Sequence, residues 1–259
     1  MKALKQRIAV GRGDEKADLV FKNARALDVF SGRWIPGDIA IVGGFIAGIG
    51  ETYHGKKEID LDGKHVVPGF IDSHVHIEST MMLPSEYAKA VMPKGTTAAI
   101  WDPHEIANVF GVAGLEWALA CATDASMDLF VMLSSCVPSS PFETSGAKIS
   151  AADLIRLKGH PGVLGLAEVM NFPAVVAAED EVLEKVAAFA DMPIDGHSPL
   201  LRGKALNAYI SAGMRCCHEI CSLEEAEEKL SRGMRVLVRE GSVAKNAADL
   251  APIMTDYSS

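Results

Sequence analysis

The sequence predicts an α/β fold: a (β/α)8 TIM-type barrel with about seven of its eight strands present, preceded by a small N-terminal β-segment. Three observations lead there. From residue 66 onward, apolar runs of strand length alternate with amphipathic stretches of helix length, the pattern of a parallel sheet covered by helices. Nearly every apolar run ends in His, Asp, Glu, Ser or Cys, and in a parallel barrel the C-terminal strand ends meet on the face where active sites form. The rival, an open doubly wound sheet, asks for a Gly-rich phosphate loop after an early strand, and no GxGxxG follows a strand here.

The expected division is residues 1–65 for the β-segment and 66–259 for the barrel. The first contains short β-runs, DLVFKN, RALDVF, DIAIVGGFIAGIG and EIDLDG, with Gly43 and Gly44 supplying the positive φ of a hairpin turn. The barrel strands are read from HVVPGFIDSHVH, TTAAIWDPH, DLFVMLSSCVP, VLGLAEVM, MPIDGHSP, MRCCHE and RVLVREGS. Helices are expected over EIANVFGVAGLEWALACATD, SAADLIRLKG and DEVLEKVAAFAD. Ser150 with Asp153, and Ser222 with Glu225, stand where a capping Ser and its acidic N3 partner belong. Met81, Met82 and Met92 read as core filler.

Composition narrows the function classes. A hydrophobic fraction of 49% in 259 residues supports a sizeable core. The net charge of −9, with both signs mixed along the chain, offers no basic stripe for a phosphate backbone, so nucleic acid is not expected as a partner. The charged N-terminus lacks the apolar core of a signal peptide, and no apolar run approaches the ~18 residues of a membrane span. A cytoplasmic protein with no membrane partner is expected, and five cysteines fit reduced thiols better than a disulfide framework.

The strand ends carry the chemistry. In order they are His74 and His76; Asp102, His104 and Glu105; Ser134 to Cys136; Glu168; His197; and His218 with Glu219. Residues two apart in a strand share a face, so His74 and His76 can both look into a barrel mouth. Imidazole and carboxylate suit Zn, Fe or Mn, and four histidines with a carboxylate able to bridge exceed what one ion needs. Two divalent metal ions are expected. Singly, a strand-end histidine is more often a hydrogen-bonded structural residue, which is the reading for His54, His65 and His160. Asp102 and Glu105 could equally cap a helix starting near His104. Asp102, His104, Glu105 and Glu219 are therefore kept as catalytic candidates or as groups supporting the metal ligands.

The segment PGFIDSHVHIES resembles the first-strand motif of the amidohydrolase superfamily, metal-dependent hydrolases on a (β/α)8 barrel. Within it, the series GFIDSHVHIESTMM, DPHEIANV, SSCVP, GLAEVM, DGHSP, LNAYISAG, CHE and REGS is similar to the bacterial and archaeal adenine deaminase family, over almost the whole chain and in order. The HxE and PCxxC signature of the other zinc deaminases is absent. The resemblance implies that His74 and His76 bind a first metal, that Glu168 bridges, and that His197 and His218 hold the second. It implies Mn or Fe, with Zn also compatible, and an N-terminal segment belonging to a small β-sandwich. The implied reaction is hydrolysis of adenine to hypoxanthine and ammonia by a metal-activated hydroxide, a step of purine salvage and adenine catabolism.

One part of the family pattern has no match. The eighth barrel strand carries an aspartate that binds the first metal and moves protons, whereas RVLVREGS is the seventh run and the chain ends after NAADLAPIMTDYSS. Asp256 has no apolar strand around it, and the role is not transferred to it. The expectation is an N-terminal portion of a longer protein, impaired when alone, whose open edges favour a homo-oligomer. Alternatives are another binuclear amidohydrolase acting on cyclic amides, such as a dihydropyrimidine or an imide, and a non-catalytic metal-binding fragment.

Overall fold

The computed structural model describes residues 1–256, which divide into two compact units, Met1–Gly69 and Phe70 onward. In the first unit, helix α1 (Lys2–Gly11) precedes a five-stranded sheet: β1 (Ala17–Asp28), β2 (Arg33–Val42), β3 (Phe45–Ile49), β4 (Gly55–Asp60) and β5 (His65–Val66). The runs DLVFKN and RALDVF are one strand. The chain passes through Asn23 at φ 54° and the register with β2 shifts between Phe21 and Ala24, a bulge that keeps both halves paired. Gly43 and Gly44 take φ of 56° and 78° and close the β2–β3 hairpin, as their sequence predicts. β4 and β5 both lie parallel to β1.

The second unit alternates strand and helix. Its elements are β6 (Phe70–Val75), α2 (Pro84–Val91), β7 (Thr96–Trp101), α3 (His104–Phe110), α4 (Val112–Asp124), β8 (Asp128–Leu133), α5 (Ala151–Lys158), β9 (Val163–Val169), α6 (Phe172–Val176), α7 (Asp180–Ala188), β10 (Ile194–Gly196), α8 (Gly203–Ser211), β11 (Cys216–Cys217), α9 (Leu223–Ser231), β12 (Arg235–Val236), α10 (Ala247–Leu250) and α11 (Ile253–Asp256). β6 to β10 form one parallel sheet in sequence order, and β11 pairs parallel with β12. A bond from Arg215 N to Ile194 O (3.3 Å) sets that pair beside β10. All seven expected runs are thus strands, arranged as the open part of a TIM-type barrel.

Local chemistry accounts for the boundaries. Ser150 and Asp153 form a complete capping box on α5. Ser222 caps α9 from the Glu225 N–H, but the Glu225 carboxylate is engaged elsewhere, so this cap is half a box. The helix expected as one piece from Glu105 to Asp124 breaks at Gly111, where φ 62° and ψ −136° suit only glycine. The core of the unit is built on Trp101, Leu133, Leu166, Phe189 and Tyr209, all fully buried. Met81 is 95% exposed, and Met82 and Met92 are exposed as well, so none of the three fills the core. Among the described residues no helix is long and apolar enough to cross a membrane.

Candidate metal centre

His74 lies on β6 and His76 just past its end. The β6–β7 register slips between Asp72 and Val75, and the two imidazoles converge edge to face with their Nε2 atoms 3.2 Å apart. His76 Nδ1 lies 2.9 Å from the Asp102 carbonyl. That oxygen can only accept, so Nδ1 donates to it and Nε2 is turned inward. Glu168, buried near the end of β9, reaches both sides of the site. Its Oε1 is 3.5 Å from His76 Nε2, while Oε2 is 2.6 Å from His197 Nδ1 and 2.9 Å from His218 Nε2.

Two donor groups result. His74, His76, Asp102 and Glu168 each offer an atom within 4.8 Å of the others, and so do Glu168, His197 and His218. Glu168 is common to both. A cation is chemically fitted to this arrangement. Two imidazole Nε2 atoms facing at 3.2 Å present lone pairs to each other unless a proton or a metal intervenes. His74 Nδ1, His218 Nδ1 and Asp102 Oδ2 are also buried without a hydrogen-bond partner. The five residues His74, His76, Glu168, His197 and His218 therefore make a candidate metal-binding site, into which the structure also brings Asp102.

The electrostatics follow from crowding acids and imidazoles in a buried space. Burial, and then the negative charge of Glu168, hold the Asp102 carboxyl well above the usual carboxylate range. Glu168 goes the other way. Burial would raise it, but hydrogen bonds from His197 and His218 prevail and keep it well below its ordinary value. His218 is lowered by burial. His74 is raised in spite of burial, because Asp195 and Glu168 face it; at 3.7 Å the Asp195 carboxylate attracts His74 Nδ1 as an ion pair rather than accepting a hydrogen bond from it.

The remaining sequence candidates lie around this cluster. Asp102 is not a helix cap: α3 has no side-chain cap at its own start, and Glu78 accepts from the Glu105 and Ile106 amides (3.1 and 3.3 Å) and from Trp101 Nε1 (2.6 Å). Glu105 accepts from Ser79 Oγ at 2.6 Å and stands 3.4 Å from His76 Nδ1. His104 is half-buried with Nδ1 unpartnered, and burial lowers its pKa. Glu219 is engaged by both terminal nitrogens of Arg239 and lies 3.9 Å from His218. Ser134 Oγ donates to Asp102 Oδ1 (3.4 Å), and Ser135 Oγ to the Glu168 carbonyl (2.6 Å). Asp195, Glu78 and Arg239 went unread in the sequence. Asp195 carried a usable signal, since it stands two residues before His197 in the run MPIDGHSP, the spacing that shares a face in extended chain.

The amidohydrolase family model matches residues 65–252. Adenine deaminases of Methylobacterium nodulans, Cereibacter sphaeroides and Bdellovibrio bacteriovorus are 51%, 52% and 50% identical over 96%, 100% and 99% of this chain, and 44%, 46% and 44% of theirs. The chain thus spans less than half the length of these curated relatives. Among solved structures, atrazine chlorohydrolase TrzN from Arthrobacter aurescens, complexed with zinc and atraton, superposes with a TM-score of 0.61 at 16% identity, covering 84% of this chain and 64% of its own. An amidohydrolase crystal structure gives 0.58 at 17%, covering 93% and 74%. At such identities these structures speak for the fold, and with the family match over most of the sequence they lead to one conclusion: the chain belongs to the amidohydrolase family.

Proposed function

We propose that this chain carries the metal centre of an adenine deaminase, holding two divalent ions and acting on C6 of adenine to give hypoxanthine and ammonia. The observation that carries the reading is Glu168, one carboxylate shared by two donor groups. His74 and His76 would hold the first ion, with Asp102 beside them, and His197 and His218 the second. The nitrogen and oxygen donors suit Mn or Fe, and also Zn. Ions held there would make water far more acidic than it is in bulk and would polarise the ring nitrogen side of the substrate. The protein's part is to orient the donors and to move protons. Asp102, buried among the donors, and His104, two residues further on, are the groups we assign to carry the proton that the departing amine needs.

The names of the relatives, of whose length this chain spans less than half, support adenine as substrate, and the net charge of −9 supports a small molecule rather than nucleic acid. We read the first unit as a contribution to a small sandwich domain, and the setting as cytoplasmic, in keeping with cysteines that are all free. The test is to load the purified chain with Mn²⁺, add adenine, and follow ammonia and hypoxanthine. Release of both, abolished by chelation, is the expected result. Opening of a dihydropyrimidine or cyclic imide with adenine untouched would replace this substrate assignment, and two bound ions with no turnover of either would point to a metal-holding fragment.

A further inference from the structure

Lys229, on α9, has no exposed surface. Its ammonium lies 2.8 Å from the Ser198 carbonyl, 3.2 Å from the Glu219 carbonyl, 2.7 Å from Glu225 Oε1 and 3.2 Å from Cys217 Sγ. Ser198 directly follows His197, and Glu219 directly follows His218. One buried cation is therefore bonded to the residue next to each of the two imidazoles that meet Glu168 Oε2. Its counter-charge does related work: Glu225 Oε1 also accepts from Leu200 N (2.8 Å), and Oε2 from Cys221 N (3.0 Å), so it ties down the chain leaving both strands.

A buried ion pair is weak evidence of stability, because desolvation offsets most of its attraction, and a leucine of similar volume would serve helix packing as well. What leucine could not do is satisfy carbonyls from the segments that follow two separate strands at one point. An ammonium has three donors around a single atom and suits that task. The other donor group is held differently, with His76 bonded to the Asp102 carbonyl and His74 facing Asp195. We propose that Lys229 is a positioning residue for the second pair of metal ligands, fixing the separation of His197 and His218 while leaving His74 and His76 to their own supports. This rests on the two-ion reading above.

The test compares the full chain with a double variant, Lys229→Met with Glu225→Gln, which leaves no uncompensated buried carboxylate. Leu154→Ala, a buried site on α5 away from the cluster, serves as a variant destabilised for unrelated reasons. Mn²⁺ titration is expected to show the second ion bound at least tenfold more weakly in the double variant, the range typical of groups that support metal ligands, with the first ion changed less than twofold. In the metal-free chain, amide hydrogen exchange over residues 196–200 and 217–221 should quicken at least tenfold, with no change around His74 and His76. Leu154→Ala should show neither selective effect. Equal weakening of both ions, or no selective exchange change, overturns the proposal. A wild-type chain that binds fewer than two ions defeats the two-ion reading, and the exchange comparison then still decides the role of Lys229. Should the double variant not fold, Lys229→Arg, which keeps the cation but not its single-point geometry, is read by the same two measurements.

Discussion

Asp38 on β2 is 5% exposed, and its carboxylate accepts from Lys22 Nζ, Asn23 N (3.2 Å) and Tyr53 N (3.0 Å). Burial alone would raise its pKa; the Lys22 hydrogen bond and the two amides outweigh it, so the folded value falls below 3.8. A depressed carboxylate contributes stability that is complete above its unfolded pKa and is lost as pH drops through the lower folded value. Asp38→Asn is expected to cost about 2 kcal/mol at pH 7, with the difference from wild type shrinking below about pH 4, where the unfolded carboxyl begins to protonate. Urea unfolding at pH 7 and pH 3 checks this, and a pH-independent difference would contradict it. The same contrast explains what the sequence revealed of the site. His74 and His76 were legible because strand alternation alone places them together. The Lys229 contacts with Ser198 and Glu219 join residues 31 and 10 positions apart, through packing that no local pattern announces.

At the scale of elements, strand positions were legible because each barrel run is apolar and ends in a polar residue, whereas α1 was not, since its helix buries only Val10 and shows little apolar periodicity. Close contacts between strands are also set by residues with no side chain. A Cβ built on Gly196 would lie 2.3 Å from the Cys216 carbonyl oxygen and 3.2 Å from the Tyr209 ring, at the step from β10 to β11. A backbone carbonyl cannot swing aside as a flexible side chain can. Gly196→Ala is therefore expected to lower stability by about 3 kcal/mol through overpacking. Gly159, with negative φ and no atom within 4 Å of its built Cβ, is the contrast; Gly159→Ala should be neutral or slightly stabilising, by up to about 1 kcal/mol. Thermal melts of the two variants separate these outcomes, and equal effects would show that the β10–β11 approach is not the constraint.

At the scale of the whole second unit, the described strands form open sheets rather than a closed ring. Among the described residues β6 pairs only with β7, and β12 only with β11, so the open side of β6 offers unpaired amides and carbonyls. Phe70 and Ile71 on that strand are 64% and 66% exposed. In a closed barrel neither edge would exist, and an exposed apolar edge is a template for pairing with another chain. The polypeptide alone should therefore self-associate as concentration rises, through β6 in particular. Ile71→Lys places a charge on that edge without touching His74 or His76, and charged edge residues oppose strand addition. Size-exclusion chromatography with light scattering is expected to show oligomers for the wild type and a shift towards monomer for Ile71→Lys, with metal content unchanged. A wild type that stays monomeric, or a variant that associates equally well, would mean that the edge is covered by some other means and that β6 is not the surface through which copies meet.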